Sequence, residues 1–104
     1  MLTDGKVDKL REAAEGQSCV RCGVANGTVV LCHYFGARRQ AYGGGLGRKG
    51  HDLIAAHLCH DCHKFLDTEA KELGGKESRW LHSEEFLNYC ALTIIRLWKQ
   101  GVIS

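Results

Sequence analysis

The sequence predicts a small α+β protein in which two short strands lead into a helix, further helices flank this core at both ends, and a zinc ion staples the centre. Three features point to that architecture. Two CxxC pairs, Cys19 with Cys22 and Cys59 with Cys62, offer four thiolates in the pattern that structural zinc takes. Two short apolar runs, Thr28–His33 and Asp52–His57, read as strands. Apolar residues at helical spacing occupy both ends of the chain.

Size and composition set limits. The 104 residues suit one domain, 1–104, with a modest buried core over about 17–74 and a C-terminal helix over about 83–101. No apolar run approaches bilayer length and no secretory leader pattern opens the chain, so no membrane partner and a cytoplasmic location are expected. Six cysteines could build a secreted disulfide scaffold; the paired CxxC spacing, the abundant histidine and the missing leader favour an intracellular metal site. The net charge of +2 says little by itself, but its distribution says more. Between Gly16 and His51 there is no Asp or Glu, while Arg21, Arg38, Arg39, Arg48 and Lys49 all fall there. Such a region attracts an anionic polymer even on a nearly neutral chain.

Taken in order, Thr3–Glu15 reads as a packing helix capped by Thr3 or Asp4, with Val7, Leu10 and Ala14 as its apolar stripe and Gly16 as its stop. Cys19-Val-Arg-Cys22-Gly is a metal knuckle whose glycine lets backbone amides approach the sulfurs. The strand Thr28–His33 follows the Asn26-Gly27 turn and ends on a histidine. Tyr34–Gly50 is the least regular stretch, with six glycines and four basic residues. It lacks the GK[ST] ending of a phosphate-binding loop, yet glycine-rich backbone carrying Arg38, Arg39, Arg48 and Lys49 suits close approach to phosphates. The second strand, Asp52–His57, pairs back on the first. Ser83 is the expected cap of the last helix, with Glu84 and Glu85 in its first turn and Phe86, Leu87, Cys90, Ile94, Leu97 and Trp98 along its apolar face.

The stretch Leu58–Asp67, LCHDCHKFLD, concentrates the chemistry. Its helix is expected over His60–Leu73, ended by Gly74-Gly75. Cys59 and Cys62 complete the thiolate set with 36 residues separating Cys22 from Cys59. His63 and Asp67 stand four apart and so share one helix face. Thiolates suit zinc, whereas an imidazole beside a carboxylate suits a harder or borderline divalent ion. The zinc would tie the start of the first strand to the start of the helix, supply about 10–16 kcal/mol of apparent binding energy, and hold His33 opposite His63 and Asp67.

These residues carry a resemblance. Val30–Asp67, with VLCHYF at the first strand and LCHDCHKFLD at the helix, is similar to the ββα-metal nucleases, the HNH superfamily. More narrowly the chain resembles the small phage and prophage endonuclease-like proteins of the YbcO type. That family has a strand histidine, a glycine- and lysine-rich loop, an aspartate before the second strand, and a CxxCH with an acidic residue four positions on. Here these fall on His33, the Gly43–Lys49 region, Asp52, Cys59, Cys62, His63 and Asp67, about half the chain. The resemblance implies a zinc-stapled ββα-metal (HNH-like) core and a metal-dependent DNA endonuclease acting in a bacterial host cell. It implies His33 as general base, with His63 and Asp67 holding one catalytic ion, magnesium or manganese or else zinc. Arg38, Arg39, Arg48 and Lys49 would bind flanking phosphates of the DNA, and a phage or host recombination or packaging protein is a further partner to consider. One position departs from the superfamily. Where many members place an aspartate or histidine ligand before the base, this chain has Cys32, a poor magnesium ligand. Either the catalytic ion has two protein ligands plus water, or His57, Asp52 or His60 supplies a third.

Two other functions use the same features. A zinc module without catalysis would bind nucleic acid through the basic loop, with His63 and Asp67 merely solvated. A protein-interaction module would dock through the last helix. Only the nuclease requires His33, His63 and Asp67 to converge.

Overall fold

A computed structural model describes residues 7–44, 49–72 and 75–103. In chain order it contains helix α1 (Asp8–Ala13), strand β1 (Val30–His33), a short 3-10 turn (Arg39–Tyr42), strand β2 (Ala55–Leu58), helix α2 (His60–Glu72) and helix α3 (Lys76–Lys99). The strands are antiparallel, in the register Val30↔Leu58, Leu31↔His57, Cys32↔Ala56 and His33↔Ala55. No helix among the described residues is long and apolar enough to cross a membrane.

The core lies between this two-stranded sheet and α2 and α3. Every residue of β2 is buried, and its small Ala55 and Ala56 let α3 approach the sheet closely. Leu58, Leu66, Phe86 and Cys90 fill the centre, joined by Cys19, Cys59 and Cys62. Polar contacts hold α3 in place. The amide of His57 donates to Thr93 Oγ1 at 3.0 Å, His82 Nε2 lies 3.1 Å from the Leu66 carbonyl on α2, and the Arg96 guanidinium donates to the Ser18 carbonyl at 2.6 Å.

Several boundaries differ from the sequence expectation. The first helix is shorter, Asp8–Ala13; the expected caps Thr3 and Asp4 lie outside the described residues. Its Leu10 and Ala14 are buried as expected. The first strand ends on His33 but begins at Val30 rather than Thr28. The second runs Ala55–Leu58, not Asp52–His57, because residues 51–54 close a turn in which the Ile54 amide donates to the His51 carbonyl at 3.0 Å and the Leu53 amide to His51 Nδ1 at 3.0 Å. Helix α2 begins at His60 as expected, and the expected stop at Leu73 and Gly74 falls outside the described residues.

The largest correction concerns α3. It starts at Lys76, with Gly75 at φ +88° before it, so Ser83 lies inside the helix and caps nothing. Lys76–His82 contains no glycine or proline to stop the helix extending upstream. The buried Ser83 hydroxyl instead meets the Tyr34 hydroxyl, and Trp80 becomes part of α3. Trp98 is 62 % exposed rather than facing the core; Thr93 and Leu97 continue the inner face set by Phe86 and Cys90.

The start of the long loop is organised by Tyr34. This buried ring packs edge-on against Tyr42 at 5.6 Å and Phe86 at 5.5 Å. Its hydroxyl also accepts from the Arg38 amide at 3.0 Å. The chain doubles back so tightly that a Cβ on Gly36 would stand 2.5 Å from the Tyr34 hydroxyl and 2.7 Å from its ring carbons. A ring wedged between two others cannot yield, so Gly36→Ala is expected to destabilise the protein by about 1–3 kcal/mol, the usual range for overpacking. Thermal melts of wild type and variant at equal zinc occupancy check this.

Candidate metal centre and catalytic cleft

The cysteines assemble from both CxxC pairs. The first pair sits in a knuckle closed by two backbone bonds, from the Cys19 amide to the Val24 carbonyl and from the Gly23 amide to the Cys19 carbonyl, both 2.8 Å. Gly23 takes φ +83°, a left-handed conformation that glycine adopts without strain. The second pair spans the junction of β2 and α2: Cys59 directly follows Leu58, and Cys62 lies in the first helical turn. The Val20 amide donates to the His57 carbonyl at 2.9 Å, which seats the knuckle against β2.

All four sulfurs lie within 4.8 Å of one another. Tetrahedral zinc with bonds of about 2.3 Å requires sulfurs about 3.8 Å apart, and Cys22 and Cys59 are separated by 3.7 Å. None of the cysteines is in a disulfide. The set therefore fits a metal ion such as zinc. Burial opposes ionisation of Cys19, but amides of Cys59, Cys22 and Arg21 stabilise its thiolate and bring the thiol down to about 6. Arg21 donates to Cys62 Sγ at 3.4 Å. Its guanidinium also stacks on Phe65, 4.2 Å from the ring centroid. These contacts place a fixed positive charge beside a centre that four thiolates would make negative.

The second grouping stands beside β1. His33, His63, Asp67 and Lys49 line one open cavity of about 460 Å³, together with Tyr34 and Phe35. His63 Nε2 is 3.5 Å from Asp67 Oδ2, and both side chains are about half exposed. Among the described residues the cysteines are the group of three or more ligands within reach of one ion; His63 and Asp67 form a two-ligand pair. Of the candidate third ligands, Asp52 is already engaged and His57 is enclosed, its Nδ1 3.1 Å from Arg96. His60 is exposed at the start of α2. Burial, then the charge of Asp67, pushes the Cys32 thiol up to about 12, so this residue stays a neutral thiol in the core.

Asp52 shows what holds His33. Its side chain is nearly inaccessible, yet Oδ1 lies 2.6 Å from His33 Nε2. Oδ2 accepts from Arg11 Nε at 2.8 Å and from the Val7 amide at 2.7 Å, and Arg11 adds a second bond to Oδ1 at 3.1 Å. Burial alone would raise the carboxyl's pKa; Arg11, the Val7 amide and His33 outweigh it and hold the group well below the usual carboxylate range. Asp52 thus remains ionised and can only accept, so the hydrogen between it and His33 is carried by Nε2. Arg11 had no signal in the sequence: it lies 41 residues from Asp52 on a helix that otherwise only packs.

Of the four expected phosphate contacts, Lys49 borders the cleft. Arg38 and Arg39 lie at the 3-10 turn, and Arg48 lies outside the described residues.

A small α+β protein with a four-cysteine cluster able to hold a metal ion and a histidine–carboxylate cleft thus defines the class. A family model described as "Putative nuclease YbcO" matches residues 8–102, and the chain belongs to that family. Comparisons with curated proteins and with solved structures gave no match.

The cysteine geometry makes a direct prediction. Purified protein should carry one zinc per chain by elemental analysis, and Cys22→Ser should lose it. Because Cys22 is exposed, that substitution opens no core cavity. A fall in melting temperature should then track metal loss, and chelation of the wild type should reproduce it.

Proposed function

We propose that this protein is a metal-dependent DNA endonuclease of phage or prophage type, built on an HNH-like ββα-metal core. Residues 1–104 act as one domain around a structural zinc held by Cys19, Cys22, Cys59 and Cys62. The observation that carries the reading is the shared cleft: His33 from the end of β1 and His63 and Asp67 from one face of α2 line it together. Membership of the nuclease family supports the same chemistry.

In this reading the substrate's scissile phosphate enters the cleft. His33 is the general base. Water oxygen attacks phosphorus, its proton passes to His33 Nδ1, and the bond to the leaving 3′ oxygen breaks. Asp52 acts through His33, fixing which nitrogen carries hydrogen and where the ring points; Arg11 and the Val7 amide position Asp52 in turn. His63 and Asp67 offer an imidazole nitrogen and a carboxylate oxygen at an open site with room for water, a donor set that fits magnesium or manganese and also zinc. Once bound, such an ion supplies Lewis-acid stabilisation of charge on the phosphate and leaving oxygen. Lys49, Arg38 and Arg39 bind flanking phosphates.

The test is plasmid and oligonucleotide cleavage with magnesium or manganese. His33→Ala should cut about 10²–10⁴-fold more slowly while still binding metal and DNA. Asp67→Ala should raise the metal concentration required and recover part of its rate at high metal. Asp52→Asn should lower the maximal rate without moving the metal requirement. Wild-type protein that binds DNA but cuts no substrate form with any divalent ion would favour a zinc module that binds without catalysis.

A further inference from the structure

Trp80 and Phe35 are large apolar rings held in water, 42 % and 52 % exposed. Each carries an arginine over its face: Arg38 stands 5.0 Å from the Trp80 centroid and Arg39 stands 5.1 Å from that of Phe35. With Arg21 on Phe65 that makes three such pairs among the described residues, where about one per 70–80 residues is usual. Arg21 is accounted for by its bond to Cys62. No comparable contact with the metal centre explains the other two pairs.

Their placement is ordered. Phe35 borders the cleft that contains His33, His63 and Asp67. Trp80 and Arg38 line a second groove of about 560 Å³ together with Leu87, Ala91, Asn88 and Glu84. Residues 34–39 join the two. The join is stiff, because the Tyr34 hydroxyl meets both Ser83 and the Arg38 amide, and Ser83 lies one turn beyond Trp80 on α3. The two rings therefore stand on either side of one anchored segment, Phe35 at the cleft and Trp80 at the second groove.

We propose that Phe35 and Trp80 form a stacking track for unpaired bases, so that the strand led into the cleft is single-stranded nucleic acid or the unpaired arm of a branched one. This rests on the nuclease reading for the cleft itself. A duplex keeps its base faces stacked internally and would offer exposed rings nothing beyond its phosphates. An unpaired strand presents both parts: base faces for the rings and phosphates for the arginines. Glu84, which lines the groove, repels phosphate, so the base lies in the groove over Trp80 and the backbone runs along Arg38, Arg39 and Lys49. Asn88 then meets the base edge.

The experiment uses zinc-loaded full chain without added magnesium or manganese, so that binding is read apart from cleavage. Trp98→Phe leaves Trp80 as the single tryptophan reporter. Oligothymidylate should quench its fluorescence, and a hairpin duplex of equal nucleotide count should not. Trp80→Ala should weaken oligothymidylate binding about 5- to 150-fold, the loss of one stacked base, leave duplex affinity unchanged, and keep the wild-type melting temperature. Trp80→Phe should restore most of the affinity. Equal losses on both probes, or no quenching and no loss on oligothymidylate, would overturn the track and leave the rings as a protein-contact surface. Intact quenching in a protein that cuts nothing with magnesium or manganese would count against catalysis alone.

Discussion

Four sulfur atoms must meet at one point, and most of the architecture follows from that. The knuckle precedes β1, and the second pair sits where β2 passes into α2. Bringing them together pins the end of the two-stranded sheet where Val30 pairs with Leu58, and sets the direction in which α2 departs. So few hydrogen-bonded strand residues make a marginal sheet on their own. Here the sheet is clamped by the cysteine centre at one end and covered by α3 on its face. The same clamp fixes His63 and Asp67, because they stand one and five residues beyond Cys62 on a helix whose first turn is held by sulfur.

The second constraint is electrostatic and runs the other way. Asp52 is buried with its charge, an arrangement that costs several kcal/mol unless every oxygen finds a partner. Arg11, the Val7 amide and His33 meet that requirement. The arrangement draws α1 onto the sheet and makes the amide at the start of a six-residue helix depend on a carboxylate from far along the chain. Val7 at the N-cap has no side chain that could cap the helix; the distant carboxylate binds its amide instead.

What the sequence made legible was the chemistry with short-range spacing. The CxxC pairs, the His63–Asp67 interval and the strand ending on His33 are patterns a few residues long, and each appears in the structure where spacing put it. Features set by tertiary contacts were not legible. Ser83 followed by two glutamates has the composition of a helix start, but the upstream residues are good helix formers, and a buried hydroxyl facing Tyr34 is a better use of that serine than a cap. Asp52 looked like the first residue of a strand because apolar residues follow it; its charge instead requires partners that an extended edge residue would lack. Trp98 fitted an apolar count, yet a helix of this length turns it away from the face that Phe86, Cys90 and Leu97 share.

The dependence of His33 on residues spread along the chain also orders events during synthesis. Arg11 and Val7 leave the ribosome early, His33 later, and Asp52 after both. The second cysteine pair follows, and α3, which covers the sheet, is made after it. A nascent chain stopped anywhere before α3 therefore holds the imidazole without the packed surroundings that orient it. The His33 ring is fully held only once α3 has packed on the sheet, rather than on an exposed fragment.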